Sequence, residues 1–323
     1  VARIMIIVKS GNTIEQCHHS VIKTQGNNFE GWKCYSGFDF LWINRQGDVY
    51  GNVCKQSGKY GNLFNNVTLP SEPIICPVKS CYCASDIEIP KTKDTALSIM
   101  DKNVPIVESI GDLDEVIGIE KIGDNALFSI NWNIGKRCNY DCSYCPSTVH
   151  DNHSPHLLFE EFKKGFDIIY SQIKLPRIKV TFTGGEPTIN PEYNEIVSYC
   201  RNKGNVTVHT NTNGTANKNK LLWLTEQGGT HISVHQEFTD LNKLFDKLMY
   251  IANNKKEGVC ILKMMLLPNS PKSAIDFVSK VKEINTDNFY INIEPLVDKA
   301  NNNKMYNYTE QELKFIRTKE WTI

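Results

Sequence analysis

The chain has 323 residues and a formal net charge of zero, with 36 basic and 36 acidic side chains. This balance lacks the broad basic field that is typical of proteins that bind intact nucleic acid. The sequence has no apolar run near 18 residues and no signal-peptide layout at its N-terminus. We therefore expect a soluble cytoplasmic protein with no membrane partner.

The cysteine content is the strongest compositional signal. The eleven cysteines are Cys17, Cys34, Cys54, Cys76, Cys81, Cys83, Cys138, Cys142, Cys145, Cys200 and Cys260. Clustered cysteines in a reducing cytosol are more often metal ligands than disulfide partners, so we favour metal binding and keep a disulfide framework as the alternative. Cys200 and Cys260 stand alone in apolar segments and are expected to be small core residues.

Residues 1–85 are predicted to form a small cysteine-rich domain with short strands. Residues 2–8 are rich in β-branched side chains, which favours a strand. Segments 38–43 and 48–53 flank a turn at 44–47, which predicts a β-hairpin closed by Gly47. The candidate metal ligands here are Cys34, Cys54, Cys76, Cys81 and Cys83. A zinc ribbon remains an alternative because tetrahedral thiolates suit zinc and iron alike.

The remaining chain is predicted to contain a linker over 86–124, an α/β core over 125–300, and a loop and helix over 301–323. The predicted core strands are 126–134, 178–183, 205–210, 230–235, 258–267 and 288–294. The predicted helices are 157–173, 191–203, 217–227, 239–253, 270–285 and 309–319. This alternation predicts βαβ units with right-handed crossovers, whose working residues lie at the carboxyl ends of the strands.

Three cysteines follow the first core strand with the spacing C-x3-C-x2-C: Cys138, Cys142 and Cys145. Three thiolates on one loop can hold an iron–sulfur cluster, and because such clusters usually take four protein ligands, one iron would stay open. The alternative is a zinc site in which a histidine at 150, 153 or 156 completes a Cys3His set.

With Tyr144 before the last cysteine, this loop resembles the signature of the radical SAM superfamily. The resemblance implies a partial (β/α)6 TIM-like barrel and a [4Fe-4S] cluster on the three cysteines. It also implies that S-adenosylmethionine (SAM) chelates the open iron through its amino and carboxylate groups. A reductant such as flavodoxin or ferredoxin would drive cleavage of SAM to a 5′-deoxyadenosyl radical, which abstracts hydrogen from a substrate.

A second motif follows the second core strand: Gly184, Gly185, Glu186 and Pro187. Glycines allow the backbone to approach a ligand closely, although a Gly-Gly pair is also a common turn. The stretch is similar to the GGE motif that holds the amino group of SAM in the same superfamily.

Polar residues end the later core strands. Asn211 and Asn213 close the third strand, Ser233 and His235 the fourth, and Glu294 the sixth. The resemblance implies that they contact the ribose or carboxylate of SAM, its adenine, or the substrate. The alternative for each is a polar strand end that is satisfied within the protein.

The N-terminal cysteines resemble the auxiliary-cluster region of SPASM or twitch domains, which implies a second [4Fe-4S] cluster. Cys54, Cys76, Cys81 and Cys83 are the expected ligands, with Cys34 as the alternative to one of them. Two features depart from that pattern, because the region precedes the radical SAM core and the gap from Gly47 to Cys54 is long.

The sequence indicates three candidate functions. A peptide or amino-acid side chain is the first choice of substrate for radical SAM chemistry, and a nucleotide or modified nucleobase is the second. The third hypothesis is of another class, a non-catalytic iron–sulfur or zinc-binding protein.

Overall fold

The computed structural model describes residues 3–10, 13–17, 22, 28–81, 84–93, 114–122, 127–269, 272–284, 286–298 and 304–312. The chain divides into two compact units. Unit 1 comprises Val1–Asn131 and Lys163–Lys179, and unit 2 comprises Trp132–Phe162 and Val180–Ile323. Each unit is described by itself below. The domain boundaries near residues 85 and 125 remain predictions from the sequence.

Unit 1 is built mainly from short strands. Its elements are β1 (Arg3–Ser10), β2 (Thr13–Cys17), β3 (Lys33–Cys34), β4 (Phe40–Ile43), β5 (Asp48–Tyr50), β6 (Lys59–Asn62), β7 (Asn66–Val67), β8 (Ile74–Ile75), α1 (Ala84–Ile87), β9 (Lys91–Thr92) and β10 (Glu115–Ile122). One sheet has the order β2-β1-β10-β9-β3-β8, and β4 to β7 follow one another as an antiparallel meander.

The predicted hairpin is confirmed. Strands β4 and β5 pair antiparallel with Trp42 opposite Tyr50, and Gly47 has a φ of +78°. The Asn44 side-chain oxygen accepts hydrogen bonds from the backbone N–H groups of Gln46 and Asp48, both at 2.9 Å. This closes the turn from within, as Asn does in many tight turns.

Residues 86–124, which were expected to be a linker, contain two strands of a sheet. β9 and β10 lie in it, and β10 pairs antiparallel with β1 from Arg3 opposite Ile122 to Lys9 opposite Glu115. Apolar residues of β10 explain this, because Val116 and Ile119 are buried in the unit 1 core on either side of a register shift in the pairing with β1. The described parts of the segment therefore belong to a sheet.

The α/β alternation predicted for the core is confirmed. The elements are β11 (Leu127–Asn133), α2 (Phe159–Tyr170), β12 (Arg177–Thr183), α3 (Tyr193–Arg201), β13 (Val206–Thr212), α4 (Lys218–Glu226), β14 (Gly228–His235), α5 (Leu241–Asn254), β15 (Val259–Leu266), α6 (Lys272–Lys282) and β16 (Phe289–Pro295), followed by the small antiparallel pair β17 (Val297–Asp298) and β18 (Lys304–Met305). The unit boundary falls within β11, α2 and β12. Residues 310–312 are helical, and the rest of the helix predicted over 309–319 lies outside the described residues.

Strands β11 to β16 are neighbours in sequence order, and β13 to β16 are parallel in register. Alternate residues of β15 are buried against the helices, among them Cys260, Leu262 and Met264. Cys200 is also fully buried, so both isolated cysteines are core residues as predicted. The other face of the strands remains for polar side chains. Curvature of this sheet into a partial barrel stays a prediction.

In the part of the chain that the structure describes, no helix combines the length and apolar character needed to span a lipid bilayer.

Candidate active site

A cleft of about 390 Å³ lies in unit 2 at the carboxyl ends of its strands. The lining residues are Asn133, Cys138, Tyr140, Cys142, Cys145, Val149, His150, Thr183, Gly184, Gly185, Asn211, Thr212, Asn213, Ser233, His235 and Lys263. The structure thus brings together most of the side chains that the sequence predicted for this site. Glu186, Pro187 and Glu294 do not line the cleft, and Lys263 was not predicted.

Backbone contacts fix the cysteine loop. The Cys138 N–H donates to the Asp151 carbonyl at 2.7 Å, and the Cys145 N–H donates to the Cys142 carbonyl at 3.0 Å. The Ser143 N–H donates to the Glu237 carboxylate at 2.8 Å, and this carboxylate follows β14. The loop is therefore held both by its own turn and by the end of another strand.

Aromatic side chains cover one side of the loop. The Tyr144 hydroxyl lies 2.7 Å from His235 Nδ1, and the two rings stack at 6.0 Å with an interplanar angle of 18°. Burial raises the pKa of Tyr144 and lowers the pKa of His235. The phenol therefore stays protonated, and it donates a hydrogen bond to the neutral imidazole in the tautomer whose Nδ1 carries no proton. Tyr140 stacks on Phe238 at 5.1 Å beside them.

The three loop thiols form a donor set suited to an iron–sulfur cluster. Burial raises the pKa of Cys138 and raises that of Cys142 to about 11, so a metal must displace their protons when it binds. Among the described residues, no group of three or more His, Cys, Asp or Glu side chains is already arranged around a metal position. The fit therefore rests on three thiols that line one cleft.

The zinc alternative for this loop is not favoured by the histidines. His150 Nε2 lies 2.9 Å from the Asp141 carboxylate and His150 Nδ1 lies 3.2 Å from the Pro146 carbonyl, so both ring nitrogens are engaged. The His153 side chain is 81% exposed, and His156 lines a separate, smaller cavity rather than the cleft of the cysteine loop.

The glycine pair packs directly against the start of the cysteine loop. A Cβ on Gly184, whose φ is +134°, would lie 2.4 Å from the Gly135 carbonyl oxygen, and a Cβ on Gly185 would lie 2.1 Å from the Arg137 carbonyl oxygen. The Gly185 N–H donates to Gly135 at 2.9 Å, and the Glu186 N–H donates to Arg137 at 2.8 Å. Because these donors are used, the turn can offer a ligand carbonyl acceptors, which suit an ammonium group.

Glu186 is directed into the protein. Its carboxylate accepts from Thr188 N and Oγ1 at 3.0 and 2.6 Å, from Thr212 Oγ1 at 2.8 Å and from Asn213 N at 2.6 Å. Asn213 in turn donates to Asn139 of the cysteine loop at 2.8 Å. Glu186 therefore positions the ends of β12 and β13 and reaches the cleft through Asn213. Pro187 begins a buried 3₁₀ turn.

Three other predicted residues have different surroundings. Asn211 lines the cleft, and its side-chain oxygen is buried without a hydrogen-bond partner, which marks it as an acceptor for a ligand or water. Ser233 lines the cleft on β14. Glu294 lies on β16 opposite Met265 and is half-buried outside the cleft lining.

Four cysteines come from neighbouring segments of unit 1. Cys34, Cys76 and Cys81 are buried, and Cys54 is exposed. A hydrogen bond joins the side chains of Cys34 and Cys76; it lowers the pKa of Cys76 to about 6, with burial acting in the opposite direction. Burial, with the nearby charges of Asp86 and Cys81, raises the pKa of Cys54 to about 12. Cys83 and the side chain of Cys17 lie outside the described residues.

A buried lysine accompanies these thiols. Lys91 is 2% exposed, and its ammonium donates to the carbonyls of Ile89 at 2.8 Å, Ile87 at 3.2 Å and Asp86. It also lies 5.1 Å from the centre of the Phe29 ring. The hydrogen bond with Cys76 and burial raise the pKa of Cys34, and the positive charge of Lys91 opposes this shift. The same charge contributes to the lowered pKa of Cys76, and the thiolate is the form that binds a metal.

Replacing Glu186 with glutamine tests its positioning role. The glutamine amide would point N–H groups at a backbone donor, so we expect the free energy of unfolding to fall by about 1–3 kcal/mol at pH 7. Burial raises the pKa of Glu186 above its ordinary value of 4.5. Between those two values the folded state binds more protons than the unfolded state, so wild-type stability rises as the pH falls.

The measurement is denaturant unfolding of both proteins at several pH values, with Glu195→Gln, an exposed carboxylate on α3, as the control. We expect the stability gap between the wild type and Glu186→Gln to widen from pH 7 towards pH 5 and the control to show no such trend. A gap that is constant or narrows with falling pH would contradict the assignment.

Comparisons with known proteins agree with this site. Residues 132–249 match the family model described as the radical SAM superfamily. The chain is 28% identical over 138 residues to the Fe-coproporphyrin III synthase of Methanosarcina barkeri, covering 40% of this chain and 34% of the relative. It is 29% identical over 113 residues to the S-adenosylmethionine-dependent nucleotide dehydratase of Flammeovirga pacifica, covering 32% of this chain and 39% of the relative.

A third relative is the 7,8-dihydro-6-hydroxymethylpterin dimethyltransferase of Methanocaldococcus jannaschii, 26% identical over 153 residues, covering 46% of this chain and 28% of the relative. A solved structure of TYW1 with a lysine-pyruvate adduct bound aligns at a TM-score of 0.37 and 15% identity, covering 54% of this chain and 66% of that chain, a likeness on which no argument rests. The chain spans less than two-fifths of the length of each of the three curated relatives. Residues 132–249 are therefore similar to the radical SAM superfamily, and the curated relatives that match this region carry the names of enzymes.

Proposed function

We propose that the protein binds a [4Fe-4S] cluster through Cys138, Cys142 and Cys145 and holds SAM in the adjoining cleft. When bound and reduced, the cluster supplies the electron that cleaves SAM to methionine and a 5′-deoxyadenosyl radical. A small electron carrier such as flavodoxin or ferredoxin is the expected reductant.

The observation that carries this proposal is the pair of backbone hydrogen bonds that connects the glycine turn to the start of the cysteine loop. The N–H groups of Gly185 and Glu186 hold the backbone at Gly135 and Arg137, and the three thiols line the same cleft as the two glycines. A ligand whose amino and carboxylate groups occupy the open iron would thereby also meet the carbonyls of the glycine turn.

The other cleft residues have distinct proposed roles. Asn211 contacts a polar group of SAM, because it lines the cleft and carries an unsatisfied acceptor. Ser233 lines the cleft between Asn211 and Lys263, where its hydroxyl can donate to SAM or to the substrate. His235 is held in one orientation by Tyr144 and faces the ligand as a neutral ring. Asn213 lines the cleft, and its backbone N–H is held by the Glu186 carboxylate. Glu294 is assigned to the substrate side of the site.

We also propose a second [4Fe-4S] cluster in unit 1, of the single-cluster twitch type. Cys34, Cys54, Cys76 and Cys81 are the described thiols that support it, with Cys83 as a further candidate. The hydrogen bond between Cys34 and Cys76 supports the inclusion of Cys34, which the sequence left as the alternative to another ligand. The buried ammonium of Lys91 offsets part of the negative charge of several thiolates.

The substrate is proposed to be a small molecule of the nucleotide class. The names of the relatives above specify a coproporphyrin, a nucleotide and a pterin, and these names favour a small heterocyclic substrate over the peptide or amino-acid side chain that the sequence suggested first. A peptide substrate is the second candidate.

Removing the loop thiols tests the proposed chemistry. We expect the wild type, reconstituted anaerobically with iron and sulfide and then given dithionite and SAM, to produce 5′-deoxyadenosine. The triple variant Cys138→Ala, Cys142→Ala, Cys145→Ala should lower this production at least 100-fold, since the iron that binds SAM is lost. The readout is 5′-deoxyadenosine by liquid chromatography and mass spectrometry.

Cys200→Ala, which removes a core cysteine, is the matched control and should retain production. A wild type with a full cluster and no 5′-deoxyadenosine would support a non-catalytic iron–sulfur protein instead.

Metal analysis tests the second cluster. With about four irons per cluster, we expect about eight irons per wild-type chain and about four in the triple loop variant. The double variant Cys34→Ala, Cys76→Ala should also hold about four, while still binding SAM. A triple loop variant that retains no iron would refute the second cluster, and one zinc per chain that disappears in the double variant would identify a zinc site.

A further inference from the structure

Lys263 is the one lining residue of the cleft that carries an ammonium group. It lies on β15 between Leu262 and Met264, both fully buried on the helix side of the sheet. Because side chains alternate along a strand, the Lys263 side chain stands on the opposite face, where the cleft lies. In the sequence, Lys263 is a single charged residue within an apolar strand segment, and this pattern alone does not mark it as a site residue.

This cation has no partner within the protein. The Lys263 ammonium has no hydrogen bond or ion pair in the part of the chain that the structure describes, and the residues that line the cleft include no aspartate or glutamate. A partly buried ammonium without a counter-ion loses some hydration, and no ion pair compensates for that cost in free energy. An anionic ligand in the cleft would form the missing ion pair.

The flanking strands add donors at the same level. Ser233 on β14 and Asn292 on β16 are the register partners of Lys263. Their neighbours Ile232, Val234 and Ile291 are buried on the helix side, so both polar residues stand on the same face as the lysine. Ser233 and Lys263 both line the cleft, whereas Asn292 is exposed and lies outside the lining. A hydroxyl and an ammonium side by side on neighbouring strands are suited to an oxyanion.

The strand order separates Lys263 from the position proposed for the carboxylate of SAM. That carboxylate is borne by the same carbon atom as the amino group, which is assigned to the glycine turn after β12. Lys263 lies on β15, three strands further along the sheet, or about 14 Å at the usual spacing of neighbouring strands. The distance favours a group that belongs to a different molecule.

We propose that Lys263 is a binding residue for a carboxylate or phosphate group of the molecule on which the enzyme acts. This inference rests on the proposed function, since it takes the cleft to be the site of SAM and substrate. It narrows the substrate to an anionic small molecule whose charged group is bound at β15.

The test measures binding by isothermal titration calorimetry on the reconstituted full chain. One titration uses SAM alone, and the other uses inorganic pyrophosphate in the presence of saturating SAM. The variants are Lys263→Met, which keeps length without charge, and Lys263→Arg, which keeps the charge. Lys256→Met removes an exposed lysine elsewhere in unit 2 and is the control. Citrate replaces pyrophosphate in a parallel series to separate carboxylate from phosphate recognition.

We expect Lys263→Met to weaken binding of at least one of the two anions tenfold or more, and Lys263→Arg and Lys256→Met to stay within about threefold of wild type. SAM affinity should be unchanged in all variants, which also shows that Lys263→Met is folded and loaded. A tenfold loss of SAM affinity in Lys263→Met would overturn the proposal by assigning the lysine to the SAM carboxylate. Anion binding that is absent in the wild type, or equal in wild type and Lys263→Met, would overturn it as well. A wild type that does not bind SAM would instead refute the proposed function.

Discussion

The close approach of two backbone segments is the constraint on which the site depends. Gly184 and Gly185 lie so near the carbonyls of Gly135 and Arg137 that any side chain would collide with them. This approach lets the N–H groups of Gly185 and Glu186 hold the start of the cysteine loop. It costs conformational freedom in the turn, and the two hydrogen bonds offset part of that cost.

Burial of titratable groups recurs around the cleft. Glu186 is 2% exposed and accepts hydrogen bonds from Thr188, Thr212 and Asn213, and the ammonium of Lys220 lies near enough to interact with its charge. The loop thiols have raised pKa values for the same reason, desolvation. A cluster and a zwitterionic ligand would supply the opposite charges that these groups lack. In unit 1 the protein supplies its own cation, Lys91, beside Cys34 and Cys76.

Periodicity and spacing predicted much of the fold and the position of the cysteines. The succession of strands and helices from β11 to β16 was predictable because apolar strand segments alternate with helical segments along the chain, and the hairpin was predictable from the turn at Gly47. The direction of the Glu186 carboxylate was not readable, because it depends on donors from β13 that are distant in sequence. The pairing of β10 with β1 was missed for the same reason, since it joins residues more than 100 positions apart. Lys263 was missed because a single charge in an apolar strand gives no sign of the cleft that it faces.

The central claim is that the iron left open by Cys138, Cys142 and Cys145 is the binding site of SAM. Electron paramagnetic resonance of the reduced, cluster-loaded Cys34→Ala, Cys76→Ala variant, with electron–nuclear double resonance on SAM labelled with ¹⁵N at its amino group, tests this claim directly. The account predicts that SAM shifts the g-values of the reduced cluster and that the amino nitrogen is coupled to it. A loaded, reduced cluster whose spectrum is unchanged by SAM and shows no nitrogen coupling would contradict it.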